Sequence, residues 1–142
     1  MKQKGIDSFS GKRIWIIGAS SGIGEACAKS LINQNARVIL SSRRVERLNA
    51  IAQNAKVDQA LVIPLDVTDD KQLATAYEKI INTWSGIDLL LFVSGIYTPL
   101  RADDFDIHIA EQTIDANLLG PMKAVALVLP KMLQAQRGNI AI

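Results

Sequence analysis

Between a short apolar run, Arg13 to Ile17, and a helical pattern that begins at Gly22 lies the loop Gly18-Ala19-Ser20-Ser21-Gly22-Ile23-Gly24. Glycine lacks the Cβ that would block a tight turn or the close approach of a ligand to the backbone. The first N–H groups of the following helix have no intrahelical partners, and the helix dipole places partial positive charge there. Both suit a pyrophosphate. Ser20 and Ser21 add hydroxyl donors, and Ala26 and Ala28 are small enough for the helix to lie close to a sheet. An ordinary turn also uses glycines. The strand before and the helix after are what point to a dinucleotide, with Gly18, Ser20, Ser21, Gly22, Ile23 and Gly24 as the residues around it.

The rest of the chain repeats the alternation. Gly22 to Asn33 reads as a helix with Ile23, Cys27, Leu31 and Ile32 at helical spacing, closed by Asn33 to Asn35. Arg37 to Leu40 is a second strand. Arg44 to Gln53 is a helix with Val45, Leu48 and Ala52 on one side, and Ala60 to Pro64 is a third strand. Thr68 or Asp69 caps a helix running to about Trp84, whose buried stripe is Leu73, Ala76, Tyr77, Ile80 and Ile81, with Ser85 and Gly86 at its end. Asp88 to Val93 is apolar almost throughout, as a parallel strand covered on both faces should be. A loop from Ser94 to about Asp104 precedes a long helix from about Ile107 to Gln134, and Gly138 to Ile142 begins a fifth strand. This order predicts an α/β fold: a Rossmann-like, doubly wound parallel sheet, strand order 3-2-1-4-5, incomplete on its C-terminal side. Residues 1–142 read as one partial nucleotide-binding domain, without repeats, low-complexity tracts or linkers.

Bulk properties exclude several classes. The 142 residues are 49% apolar and 21% charged, enough for a core and too apolar for disorder. A net charge of +2 gives no argument for nucleic acid or an acidic membrane surface. The one cysteine, Cys27, permits no intrachain disulfide and fits a reducing compartment. Met1 to Ser10 is polar without an apolar signal core, and no apolar run approaches the length that spans a bilayer. The expectation is a soluble cytoplasmic protein with no metal site and no nucleic-acid or membrane partner.

The loop spacing is glycine, three residues, glycine, one residue, glycine. It differs from the commoner dinucleotide fingerprint and resembles that of the short-chain dehydrogenase/reductase family, whose loop ends in the same Gly-Ile-Gly. Ile17 stands where the family most often has threonine. The second strand ends Leu40-Ser41-Ser42-Arg43-Arg44, with Ser42 where an acid would accept from the ribose 2′-OH of NAD. A guanidinium at Arg43 pairs with a 2′-phosphate that a carboxylate would repel. The resemblance also points to NADP rather than NAD, although Ser21 stands where the family's second basic contact would be. The alternative is a solvated arginine pair at a strand end. In Leu65-Asp66-Val67-Thr68 the resemblance implies that Asp66 binds the adenine amino group and Val67 the ring. The alternative is a helix cap, which Thr68 or Asp69 supplies without it. Phe92-Val93-Ser94-Gly95 matches the family's Asn-Asn-Ala-Gly only at Gly95, with Ser94 a small residue at the alanine position; the nicotinamide ribose would approach here.

In Asp115-Ala116-Asn117-Leu118-Leu119-Gly120-Pro121, Pro121 has no N–H to give the carbonyl of Asn117 four residues earlier. A freed, inward carbonyl could hold a water. The resemblance implies that Asn117 shapes a kink and that its carbonyl holds a water in a proton relay; a kink for packing alone is the alternative. The resemblance further implies a serine after the fifth strand and a Tyr-x-x-x-Lys pair on a later helix. Four residues beyond Tyr77 is Ile81, and four beyond Tyr97 is Arg101. His108 reads as an exposed helix start and Cys27 as a packed residue.

The chain therefore reads as an NADP-dependent short-chain oxidoreductase, moving hydride between NADPH and a carbonyl or alcohol substrate, in a truncated and inactive form. The rivals are a naturally short, non-catalytic NADP-binding or interaction module, and a prematurely stopped product without function. Self-association or a homo-oligomer is expected from the apolar stripe Leu118, Met122, Val125, Leu129 and Leu133 and from an open strand edge at Ile140 to Ile142.

Overall fold

The strand β1, Arg13–Ile17, shows why the chain must form three layers. Ile14, Trp15, Ile16 and Ile17 are all fully buried, and successive side chains of a strand point to opposite faces. Ile14 and Ile16 pack with Leu31, Ile32 and Leu48 in one core. Trp15 and Ile17 pack with Leu73, Ile80 and Val128 in the other. One strand thus needs helices above and below it. The structure, a computed structural model, describes residues 8–142; most of the polar N-terminal stretch read above lies outside those residues.

After β1 come α1 (Gly22–Asn33), β2 (Arg37–Ser41), α2 (Val45–Ala52), β3 (Ala60–Val62), α3 (Asp70–Trp84) and β4 (Leu89–Phe92). Next are α4 (Ile107–Ile114), a π-helical turn (Asp115–Leu119), α5 (Gly120–Gln134) and β5 (Asn139–Ala141). The sheet order is β3-β2-β1-β4-β5, and every pair is parallel. The register aligns Trp15 with Ile39 on one side and with Leu90 on the other. The predicted doubly wound order is the observed one.

Several boundaries differ from the sequence reading. β2 extends to Ser41, because this serine pairs with Ile17 in register and its Oγ accepts the buried indole N–H of Trp15 at 3.0 Å. β3 ends at Val62 rather than Pro64, whose missing N–H cannot continue a ladder. β4 is Leu89–Phe92 and β5 is Asn139–Ala141, each shorter at both ends than expected. α2 starts at Val45 and stops at Ala52. Asp69, not Thr68, caps α3: its carboxylate accepts the N–H groups of Lys71 and Gln72 at 2.9 and 3.0 Å.

One helix face also requires correction, and a second becomes defined. The buried side of α1 is Gly24, Ala28, Leu31 and Ile32, whereas Ile23 is 73% exposed and Ala26 is exposed. The reason is Gly24: a Cβ there would strike the Gly18 carbonyl, so the helix turns its smallest residue to the strand. In the α4–α5 unit, the large apolar stripe is not what meets the sheet. Ala116, Gly120, Pro121, Ala124, Val128 and Met132 are buried, while Leu118, Met122 and Leu133 are more than half exposed. Small residues let the helix axis approach the sheet, and the bulky ones are left outside.

The unit Ile107–Gln134 is 28 residues long, with an 18-residue window of mean hydropathy 1.2. By length and composition it reaches the membrane-spanning class, against the sequence expectation. Polar residues such as Asp115 and Lys123 break up the apolar run, so no uninterrupted stretch shows in the sequence. Its small-residue side is packed on the sheet core.

Candidate functional site

Strand order reverses between β1 and β4, one leading outward to β2 and the other to β5. The loops leaving the carboxyl ends of these neighbours diverge there and leave a crevice. It is a cleft of about 770 Å³, walled by Gly18, Ser20 and Ser21 after β1, Ser42, Arg43 and Arg44 after β2, Asp66 and Val67 after β3, and Ser94, Gly95 and Ile96 after β4. Gln112, Asp115 and Ala116 close it from the helix side. Of the sequence candidates, Gly18, Ser20, Ser21, Arg43, Asp66, Val67, Ser94 and Gly95 line the cleft; Gly22, Ile23, Gly24 and Asn117 do not.

The glycines act by different means. Gly18 has φ +99°, and a Cβ there would sit 2.6 Å from the backbone nitrogen of Ser94, so this position joins the loops of β1 and β4. Gly22 has φ +54° with nothing within 4 Å of its missing Cβ, so only the backbone conformation asks for glycine. Ser21 is the N-cap residue of α1, yet its side chain caps nothing. No side chain therefore competes for the first N–H groups of α1, the condition under which a helix start receives an anion. A narrow glycine cradle beside an uncapped helix start and a cleft of this size fit a pyrophosphate-bearing dinucleotide.

Ser20 and Ser21 are already engaged. Arg44 reaches across from the end of β2, donating from Nη2 to Ser21 Oγ at 2.6 Å and from Nε to Ser20 Oγ at 3.2 Å. The sequence reading took the serines as donors to a ligand; here they accept from an arginine. Arg44 was read there only as half of a pair. Its proximity to the loop comes from β1–β2 pairing, which no local pattern encodes.

Arg43 is exposed, with Nη1 3.7 Å from Asp66 Oδ2. Asp66 Oδ1 accepts the Thr68 N–H at 3.0 Å and the Thr68 hydroxyl at 2.8 Å. The Thr68 backbone bond, then its hydroxyl and the charge of Arg43, hold the Asp66 carboxyl below its ordinary range against the opposing effect of burial. Asp66 is thus an ionised acceptor at neutral pH. It is not the cap of α3, a task Asp69 performs.

Asn117 has a role that the sequence did not reveal. Its Oδ1 accepts the Ile96 N–H at 2.8 Å, and its Nδ2 donates to the Ile96 carbonyl at 2.7 Å. The side chain imitates a strand neighbour and fastens the loop after β4 to the long helix. A Cβ on Gly95 would lie 3.3 Å from the same Oδ1, so the clamp passes closely over that glycine. The distortion around Asn117 is a π turn. The Gly120 N–H reaches the Asp115 carbonyl five residues back, one residue before the proline that has no N–H to give.

Among the described residues, the cleft lining contains no Tyr, Lys, His or Cys. Tyr97 is exposed, and Tyr77 is half-buried on α3, where burial pushes its hydroxyl up. His108 is exposed at the start of α4, as read, with Nδ1 3.3 Å from Glu111. Cys27 is half-buried rather than fully packed. Among the described residues, no three potential metal ligands cluster.

The family model described as short chain dehydrogenase matches residues 12–142. An uncharacterized oxidoreductase of Staphylococcus haemolyticus is 28% identical over 132 residues, covering 93% of this chain and 57% of that protein. Dehydrogenase/reductase SDR family member 7 of Homo sapiens is 32% identical over 133 residues, covering 89% of this chain and 39% of the human protein. A solved short-chain dehydrogenase from Streptomyces avermitilis superposes with a TM-score of 0.87 at 25% identity, over 92% of this chain and 48% of that one. The chain spans about half the length of the curated bacterial relatives it matches.

Proposed function

Because the chain belongs to the short-chain dehydrogenase family, we propose that it is the cofactor-binding part of an NADP-dependent oxidoreductase that moves hydride between NADPH and a carbonyl or alcohol. The observation that carries the NADP preference is the end of β2. It offers the cleft Ser42, Arg43 and Arg44 and no acid. A 2′-phosphate meets cations there, whereas the ribose 2′-OH of NAD finds no carboxylate.

The remaining roles follow the cleft walls. The loop Gly18 to Gly24 and the start of α1 receive the pyrophosphate. Asp66, held ionised, accepts from the adenine amino group, and Val67 lies against the ring. Ser94 and Gly95 give the nicotinamide ribose a side-chain-poor wall. Asn117 stands at the proton-relay position while its side chain holds that wall in place. The bound nicotinamide supplies hydride; these residues bind and orient it. No residue of the cleft lining is assigned as proton donor to the reacting oxygen. Residues 1–142 act in this reading as one nucleotide-binding unit, in a reducing cytoplasm consistent with the single half-buried thiol.

Direct titration tests the reading. Wild-type protein should bind NADPH more tightly than NADH. Arg43→Ala should weaken NADPH more than NADH, by about 1.5–3 kcal/mol, the worth of a charge-assisted hydrogen bond. Equal weakening of both would remove Arg43 from the 2′-phosphate.

A further inference from the structure

We infer that the chain carries a second ligand site, a basic pocket for a small carboxylate at the end of the sheet opposite the nucleotide cleft. Its polar wall is Arg13 at the start of β1, Tyr77 on α3, Ser85 just after α3, Lys131 on α5 and Arg137 before β5.

Each of these side chains can donate a hydrogen bond. Three are cations, two are hydroxyls, and no Asp or Glu stands in the wall. Among the described residues, Lys131 and Arg137 form no ion pair. Nor do the side chains of Tyr77, Ser85, Lys131 and Arg137 make a hydrogen bond among those residues. Asp88 feels the charge of Arg137, but its oxygens are already engaged by Arg13. The wall therefore has donors to spare and no carboxylate to take them.

Two glycines shape the pocket. A Cβ on Gly86 would lie 2.9 Å from Arg13 Nη1, so the bare backbone lets that guanidinium in. Gly138 has φ +146°, and a Cβ there would strike the Met132 side chain. The chain can thus turn back against α5, where the Arg137 N–H donates to the Met132 carbonyl at 3.1 Å.

Ile81, Ile87, Val128 and Met132 supply an apolar wall to the same pocket. Its volume is about 60 Å³. One water takes roughly 10–15 Å³ of such space, so a group of a few heavy atoms fits and a nucleotide does not. Free donors, an apolar wall and this size together select a carboxylate on a short aliphatic chain. Cations near a helix C-terminus also offset the helix dipole, and α3 and α5 both end beside this pocket. The response to added carboxylate, rather than the stability of variants, is therefore the deciding readout.

Saturation-transfer NMR of the full chain with butyrate, at constant ionic strength, tests the inference. Butyrate should bind saturably, and sodium chloride and n-butanol at equal concentration should not displace it. Lys131→Gln with Arg137→Gln should weaken butyrate at least about tenfold, with an unchanged circular dichroism spectrum. Lys131→Gln alone should weaken it about threefold, and it carries the test if the double variant does not fold. Inorganic phosphate displacing butyrate at lower concentration would overturn the assignment to a carboxylate. No saturable binding, displacement by chloride, or undiminished binding in the variants would overturn the site. The cations would then serve the ends of α3 and α5 alone.

Discussion

Arg13 and Asp88 show how much of this fold hangs on single side chains far from the cleft. The Asp88 carboxylate accepts from the Arg13 backbone N–H at 3.0 Å and from Nε and Nη2 at 2.8 Å each, while Nη1 donates to the Trp84 carbonyl at 2.9 Å. One pair therefore ties the start of β1, the end of α3 and the approach to β4. Its side chains are only 17% and 15% exposed, so solvent screens it weakly. The Arg13 hydrogen bonds hold the Asp88 carboxyl below its ordinary range, against the effect of burial. A carboxyl whose native pKa is lowered stabilises the fold fully above its unfolded pKa of about 4, and the contribution is lost as pH falls through the native value. Asp88→Asn should cost about 1–3 kcal/mol at neutral pH. It should also flatten the acid limb of stability, read by urea unfolding at several pH values. Identical acid limbs in the two proteins would show that Asp88 is not the titrating group.

At the scale of elements, the loop-helix junctions carry the specificity of the packing. α1 touches the sheet through Gly24, where a Cβ would collide with the Gly18 carbonyl and stand 3.0 Å from a Val93 methyl. Gly24→Ala should destabilise the protein by about 2–4 kcal/mol and weaken nucleotide binding with it. Ala26→Lys, on the exposed side of the same helix, should stay within about 0.5 kcal/mol of wild type by thermal melting. Similar losses in both would contradict the observed helix face. The second junction is the Asn117 clamp on Ile96. Asn117→Ala removes two hydrogen bonds at 2.8 and 2.7 Å. It should cost about 1–2 kcal/mol and speed exchange of the Ile96 amide hydrogen. An unchanged exchange rate would deny the clamp its part in ordering the cleft wall.

For the whole molecule, the two cores lie on opposite faces of the sheet, and much of the apolar surface they leave uncovered lies on the α4–α5 unit and at β5. Ile107, Ile114, Leu118, Met122, Leu129 and Leu133 are exposed on the α4–α5 unit, and Ile140 and Ile142 are exposed in and beside β5, which has β4 as its one neighbour among the described strands. Unpaired strand edges and contiguous apolar patches favour pairing with another chain. The 142-residue chain should self-associate, with a sedimentation coefficient that rises with concentration, and Leu118→Glu with Met122→Glu should reduce the rise. A monomer at all concentrations would sink this prediction. The same chain should not oxidise NADPH at a measurable rate when carbonyl substrates are added, because binding alone brings no proton donor to the reacting oxygen. Turnover abolished by changing Tyr97 or His108 would reveal an acid that the cleft lining does not contain.

The order of elements, the parallel sheet and the glycine loop at the end of β1 were all legible in the chain itself. Each is written in neighbouring residues: apolar runs of strand length, helical spacing, glycines at a turn. Local rules act over a few positions, so a local reading reaches them. The same reading misjudged which side of α1 faces inward and did not say which side of the α4–α5 unit does. It weighed residues by hydrophobicity, whereas the sheet selected the small ones that permit close approach. It also missed the two arrangements that shape the cleft. Arg44 meets Ser21 across 23 positions, and Asn117 meets Ile96 across 21. Such contacts leave no period and no motif in the sequence. They arise only when parallel pairing brings β2 beside β1 and when packing lays the long helix over the end of β4.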